Sequence, residues 1–409
     1  MATLHPFRAL RPRPDYAARI AAVPYDVVTA EEARALANGN PLSFLRVSRA
    51  EIELPDADPY SETVYQRAAA NFATLKKEAL VLEAVPTLYV YRLRMGAHEQ
   101  LGLAGCFSLD DYDRDVIKKH ERTRRDKEDD RTRHMVALGA QTGPVFLTYR
   151  ASADVNDVAV QVTRGAPLID FQAPDGVQHT IWIASEDEGQ ALVAAFCRVP
   201  ALYIADGHHR AASAARARDE FRTHGDRGTQ LGDSAGVDTM LGVAFPHDQV
   251  QILPYNRIVK NLGGLTDEQF LAALNERFTI EPGPALPPSR GQISMYFRRG
   301  WHLLRPHVRP GGSNAVALLD VSVLQEGLLA PVLQIADIRT DKRIDFVGGA
   351  RGTNALQKAV DSGAAAVAFS LYPVSVADLM TVCDEGAIMP PKSTWFEPKL
   401  RDGLLIHVI

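Results

Sequence analysis

The sequence predicts an α/β fold with mixed sheets, and three observations carry that expectation. Apolar runs of strand length alternate with helix-patterned stretches along the chain. One of those stretches begins at a capping box, Thr29 with Glu32, and ends at Asn38-Gly39. One apolar run, Ala201 to Ala205, passes through Asp206-Gly207 straight into an alanine-rich, helix-favouring stretch, which is the strand–turn–helix unit of α/β proteins.

Taken in order, Pro6 to Val28 is rich in Pro and Arg and is expected to be extended or looped. Thr29 with Glu32 forms a capping box, and the helix it opens should stop at Asn38-Gly39. Leu42 to Ser48 reads as a strand. Ser61 to Leu80 reads as a helix with Val64, Ala68, Phe72 and Leu75 on one stripe. Tyr89–Leu93 and Gln100–Phe107 read as a strand pair across Met95-Gly96-Ala97-His98. Tyr112 to His134 is the densest charge run. Pairing within one helix explains it only in part, because Glu128 stands four residues before Thr132 rather than before a base.

Gly143–Tyr149 and Thr180–Ala184 read as strands, and Glu188–Cys197 as a helix. His224 to Asp238 reads as a Gly-rich loop, Thr239–Phe245 and Val250–Leu253 as strands, and Pro254–Arg257 as a turn out of them. Thr266–Phe278 is helical, and the Pro-rich Glu281–Arg290 is the best candidate linker. Beyond it come a hairpin around Arg298-Arg299-Gly300, a helix at Val321–Ala330 and a strand leaving at Gly348-Gly349. A buried strand at Ala364–Tyr372 and a helix at Val376–Glu385 follow. The domain organisation expected is an N-terminal α/β segment over 1–110, a core over 111–280 and a C-terminal α/β segment over 290–409.

The 409 residues, 46% apolar and 23% charged, are ordinary for a globular protein with a large core. A net charge of −5 offers no global basic field for nucleic acid. The odd, scattered cysteines, Cys106, Cys197 and Cys383, imply neither a disulfide framework nor a cysteine zinc site. No apolar run reaches the ~18 residues of a membrane span, and the N-terminus has no apolar core of signal-peptide type. A cytoplasmic protein is expected, whose partners are small molecules and for which a homodimer is left open.

Three clusters carry chemistry. At Asp206 to Arg210 (D-G-H-H-R) a helix N-terminus directs backbone N–H groups and its dipole at an anion. Asp206 can cap the first turn, Gly207 leaves room for a ligand, and Arg210 adds a fork that suits phosphate. The plainer reading is a strand–helix turn with a surface Arg and two satisfied histidines. His120-Glu121 puts an acid close after the apolar pair Val116-Ile117; with Arg at position 124 it is not a zincin motif. Lys392-Ser393-Thr394 follows two prolines, so its plainer reading is a rigid surface turn. Together the three supply what phosphoryl transfer requires: donors for phosphates, a carboxylate to accept a hydroxyl proton, and a cation for developing charge. His208 and His209 would splay about 100° apart on a helix and do not form a ready metal pair, so metal ligands stay unassigned.

The D-G-H-H-R between an apolar strand and a helix resembles the nucleotide-binding signature of the ParB/sulfiredoxin superfamily, and most of all its free-serine kinase branch. There an upstream H-E and a downstream K-[ST]-T flank the signature, as His120-Glu121 and Lys392-Ser393-Thr394 do here. The whole chain also resembles a widespread bacterial family of uncharacterised proteins. The phrases that carry that likeness are Pro24–Val28, Lys118–Thr123, Gln141–Pro144, the signature, and Met389–Leu400.

The resemblance implies a ParB/sulfiredoxin-like nucleotide-binding core and a kinase that phosphorylates the hydroxyl of free L-serine or a similar amino acid, with ATP or ADP and Mg²⁺. It implies Glu121 as the base, with His120 beside it, and Asp206 assisting the metal or phosphates. Gly207, His208, His209 and Arg210 would hold the nucleotide, and Lys392, Ser393 and Thr394 the substrate. Trp395-Phe396 departs from the basic pair expected after K-[ST]-T, and an insertion between Ala151 and Phe196 would lengthen the core. The alternative function is a non-catalytic nucleotide-binding regulator of the ParB type, against which stand the acidic balance and the lack of a basic recognition helix; a nuclease is a third, weaker option.

Overall fold

The structure is a computed structural model describing residues 1–223, 236–308 and 314–409. The Gly-rich loop expected from His224 onward lies outside the described residues as far as Ala235. The chain forms two compact units. The first comprises Met1–Lys119, Thr123–Val250 and Pro398–Ile409, and the second His120–Arg122 and Gln251–Glu397. The predicted α/β class holds, with mixed sheets. Among the described residues no helix is long and apolar enough to cross a membrane.

The first unit is built on a mixed sheet. Its order is Ile117–Lys118, Leu202–Asp206, Val145–Tyr149, Thr239–Pro246, His98–Ser108, Tyr89–Met95, Gln178–Ile183 and Ile169–Gln172, with Leu4–His5 added to His98–Ser108. Val145–Tyr149 and Thr239–Pro246 pair in parallel and are buried at every position, as expected for strands covered on both faces. The hairpin Tyr89–Met95/His98–Ser108 turns at Gly96, whose φ of 60° suits glycine. A smaller sheet orders Leu80–Leu82, Ala9–Pro12, Ile406–Val408 and Ala140–Gln141, so the last strand of the chain is held between two segments distant from it in sequence.

The capping box at Thr29 forms, and Glu62–Glu78 buries Val64, Ala68, Phe72 and Leu75. The strand expected at Leu42–Ser48 is instead the short helix Leu45–Ser48. Its apolar residues sit at helical spacing: Phe44, Leu45 and Val47 enter the same core as Phe72 and Leu75. The polar stretch after Tyr149 contains a helix, Ala153–Val162, and an edge strand, Ile169–Gln172.

The second unit is an antiparallel sheet ordered Phe278–Pro282, Gly300–Pro306, Ile293–Phe297, Val367–Leu371, Tyr255–Val259 and Ile344–Gly348. The turn expected at Pro254–Arg257 is thereby corrected. Tyr255–Val259 is an inner strand bonded on both sides, and the adjacent polar residues Asn256 and Arg257 interrupt its apolar run. Its hairpin turns at Arg298-Arg299, both with positive φ (48° and 61°). Arg298 is held there by ion pairs to Asp267 and Glu268. A two-stranded ladder joins Gln251–Leu253 to Trp395–Glu397.

Candidate functional site

In the first unit, Leu202–Asp206 runs through Gly207 into the helix His208–Thr223, as the sequence predicts. Gly207 has φ 96°, and a Cβ there would lie 2.9 Å from the Arg210 guanidinium, so this position is closed to side chains on both counts. Ala211 N–H makes the first intrahelical bond, to Gly207 O at 3.0 Å. By helix geometry the N–H groups ahead of it have no acceptor within the helix.

The carboxylate that ends the strand is held by two cations. Asp206 Oδ2 accepts from Lys399 Nζ at 3.3 Å and from Arg210 Nη2 at 3.4 Å. Burial pushes the Asp206 carboxyl up, but Lys399 and then Arg210 outweigh it and hold the group well below the usual carboxylate range. Arg210 is only 7% exposed and turns inward, where it also donates to the Pro144 carbonyl. His208 is buried. His209 Nε2 accepts from Arg124 N–H at 3.1 Å, which assigns a neutral ring with its proton on Nδ1.

The charge run before this helix resolves through the same contact. Arg125–Leu138 packs on His208–Thr223. Glu128 pairs across to Arg216 at 3.3 Å, and Thr123 donates to it. Its missing base is therefore on the other helix.

Beside Arg210 lies a cavity of about 40 Å³ whose lining includes Tyr25, Arg131, His134, Gln141, Arg210 and Asp402. Three phrases singled out in the sequence meet here, those at Tyr25, at Gln141–Gly143 and at Arg210. The Arg131 guanidinium stands 4.3 Å over the Tyr25 ring. Asp402 is 3% exposed; its Oδ1 and Arg210 Nε are buried without a hydrogen-bond partner among the described residues. Burial lifts the Asp402 carboxyl to about 7; Arg210 opposes the rise and Asp26 adds to it. Lys399, Arg401 and Asp402 were not anticipated. Arg401 Nε donates to His179 Nε2 at 3.3 Å, and Arg401 also pairs with Asp175. Lys399 lies inside the phrase Met389–Leu400 singled out in the sequence, and Arg401-Asp402 follow it directly.

In the second unit, His120 is 2% exposed and its Nε2 lies 3.3 Å from Thr394 Oγ1, while its carbonyl accepts from Met389 N–H at 2.9 Å. The H-E and K-S-T clusters, 274 positions apart, thus meet within this unit. Glu121 is half-buried and Lys392 exposed. Ser393 Oγ donates to Pro390 O at 2.6 Å. Lys392 has φ 59° and its carbonyl accepts from Arg257 Nη2 at 2.9 Å. Trp395 and Phe396, the departure from the kinase pattern, have structural work: Phe396 is buried, and Trp395 packs edge-on to Tyr255 at 5.2 Å.

Three solved structures were compared. A free serine kinase in complex with AMP is 13% identical, covers 74% of this chain and 92% of its own, and has a TM-score of 0.36. A conserved hypothetical protein from Pyrococcus furiosus is 12% identical, with 75% and 95% covered and a TM-score of 0.37. SbnI with a C-terminal truncation from Staphylococcus aureus is 13% identical, with 75% and 87% covered and a TM-score of 0.40. No curated protein matches the chain. A family model, by contrast, spans most of the sequence, residues 4–322, and the chain belongs to that family, described as a protein of unknown function (DUF1015).

Proposed function

We propose that this chain is a nucleotide-dependent small-molecule kinase on a ParB/sulfiredoxin-like core. It would move a phosphoryl group from ATP or ADP to the hydroxyl of free L-serine or a similar amino acid. The observation that carries the reading is the strand–helix turn at Asp206 to Arg210. There Gly207, at φ 96° and with no room for a Cβ, turns the strand into a helix N-terminus, beside a carboxylate kept ionised by Lys399 and Arg210.

The phosphates lie against the first turn at Gly207, His208 and His209. Arg210 acts from beneath, fixing Asp206 rather than exposing its own fork. An ionised carboxylate is a hard oxygen donor of the kind Mg²⁺ takes, so Asp206 would hold such an ion, which would supply charge neutralisation for phosphoryl transfer. Glu121 accepts the proton of the serine hydroxyl as its oxygen bonds to the terminal phosphorus. The bond from that phosphorus to the bridging oxygen breaks, and the nucleotide leaves one phosphate shorter. His120, through Thr394, sets the Lys392–Thr394 segment that holds the acceptor.

The test is direct. Full-length protein with Mg²⁺, ATP or ADP, and each hydroxyl-bearing amino acid should give a phosphorylated amino acid by ³¹P NMR. If no acceptor is phosphorylated with either donor, the kinase reading fails. Nucleotide binding without any transfer would then favour the regulatory alternative. Glu121→Gln should abolish turnover and leave nucleotide affinity within about twofold, because it removes the base and leaves the first turn intact.

A further inference from the structure

Arg257 is the most unusual charge in the second unit. It is 1% exposed, on the inner strand Tyr255–Val259. Its guanidinium donates to two carbonyl oxygens, those of Tyr255 and Lys392, and stands 5.5 Å from the Phe346 ring. Among the described residues no carboxylate pairs with it. Buried charges are ordinarily paired, because burying an ion without a counter-charge is strongly unfavourable. Burial accordingly pulls its pKa down to about 10, with only the Tyr255 phenol acting in the other direction. A neutral side chain of similar shape would serve as a brace at lower cost.

The place where this charge is spent is equally specific. Lys392 is in the left-handed region at φ 59°, an uncommon conformation for a residue with a side chain. Its carbonyl is held by Arg257, Ser393 is bonded back to Pro390, and Thr394 to His120. The strained segment is fixed at each residue, with a second cation, the Lys392 ammonium, carried on it.

We propose that Arg257 is a positioning residue for an oxyanion-bearing ligand at Lys392–Thr394. It holds the Lys392 carbonyl and supplies the fixed positive charge that draws a carboxylate or a phosphate group to the segment. The charge is complete only with that ligand bound. The oxyanion subsite stands on charge and geometry alone. Its assignment to the carboxylate of the acceptor rests on the kinase reading.

The experiment is thermal unfolding of the full chain at constant ionic strength, with chloride replaced by acetate in one arm and by inorganic phosphate in the other. At least one anion should raise the wild-type Tm in a saturable way. Acetate alone would identify the carboxylate, phosphate alone the phosphoryl group. Arg257→Gln should leave the Tm in chloride unchanged or higher, yet raise the apparent Kd for the effective anion on the order of tenfold. Arg257→Lys, which keeps the charge, should stay within about threefold, and Arg257→Met should repeat the Gln result if the glutamine chain folds poorly.

The proposal is overturned if neither anion acts on the wild type. It is also overturned if the variants lose Tm in chloride while keeping the full anion response, the signature of a brace. Phosphate transfer is not part of this readout. An Arg257-dependent anion effect without turnover sinks the kinase reading alone. Turnover with an acceptor KM indifferent to Arg257→Gln sinks this proposal alone.

Discussion

Asp402→Asn should make the protein more stable at pH 8 and remove a fall in stability that the wild type shows between about pH 4 and pH 7. In the folded chain, burial lifts the Asp402 carboxyl from 3.8 to about 7, against the pull of Arg210 and with the push of Asp26. In the unfolded chain it titrates near 3.9. Below about pH 4 both states carry the proton and the group is neutral in its effect. As pH rises toward 7 the unfolded chain releases the proton while the folded chain keeps it. The unfolded state is favoured, and stability falls with pH. Above the folded value both states are ionised and the full cost persists.

The size follows from the interval. From 3.8 to about 7 is roughly 3 pH units, which at 1.36 kcal/mol per unit sets an upper limit of about 4 kcal/mol. Asparagine keeps the shape and carries no charge, but Arg210 and Arg131 lose a neighbouring anion, so a net gain of about 1–3 kcal/mol at pH 8 is expected. Urea unfolding between pH 4.5 and pH 8.5, followed by circular dichroism and by Trp182 in the first unit, measures it. The reasoning is refuted if the wild type and Asp402→Asn show parallel pH profiles, or if the variant is the less stable at pH 8.

Two further substitutions probe the neighbouring groups. Asp206→Asn should cost about 3–5 kcal/mol at pH 7, because Lys399 and Arg210 lose their shared carboxylate. Its wild-type contribution is present above the unfolded carboxylate value and disappears as pH falls through the depressed folded one, so the variant should show less acid-side loss below about pH 4. Gly207→Ala places a methyl against the Arg210 guanidinium at positive φ and should cost about 1–3 kcal/mol of unfolding free energy. Nucleotide affinity, read by calorimetry, should fall with it, since the first turn must shift.

What could be read from the sequence was local. The capping box at Thr29 forms because its partner stands three residues away, and the Gly96 turn forms because a two-residue connection needs positive φ. The turn at Asp206-Gly207 was legible for the same reason. Leu42–Ser48 failed because seven mostly apolar residues do not declare a period, and only the packing of Phe44 against Phe72 decides for a helix. Tyr255–Val259 failed because a buried Arg and Asn interrupt the apolar pattern, and it is the register with Ile344–Gly348 and Val367–Leu371 that makes it a strand.

The candidate site shows the same division more sharply at Arg210. Next to a helix N-terminus, an arginine reads as a phosphate fork, since nothing local says where its side chain goes. The direction is set by Pro144, by Asp206 and by the tail Pro398–Ile409, which returns to its own sheet through Ile406–Val408. That tail places Lys399 on Asp206, Arg401 on His179 and Asp402 in the cavity, three functions from four consecutive residues. A cation brought in by the tail keeps Asp206 ionised while Arg210 is turned inward. The positive charge that the sequence placed on the signature itself is therefore supplied in part from the far end of the chain. For that reason Lys399→Met should release Asp206 toward the ordinary carboxylate range, a shift that carboxylate NMR titration of wild type and variant would read and that an unchanged Asp206 titration would refute.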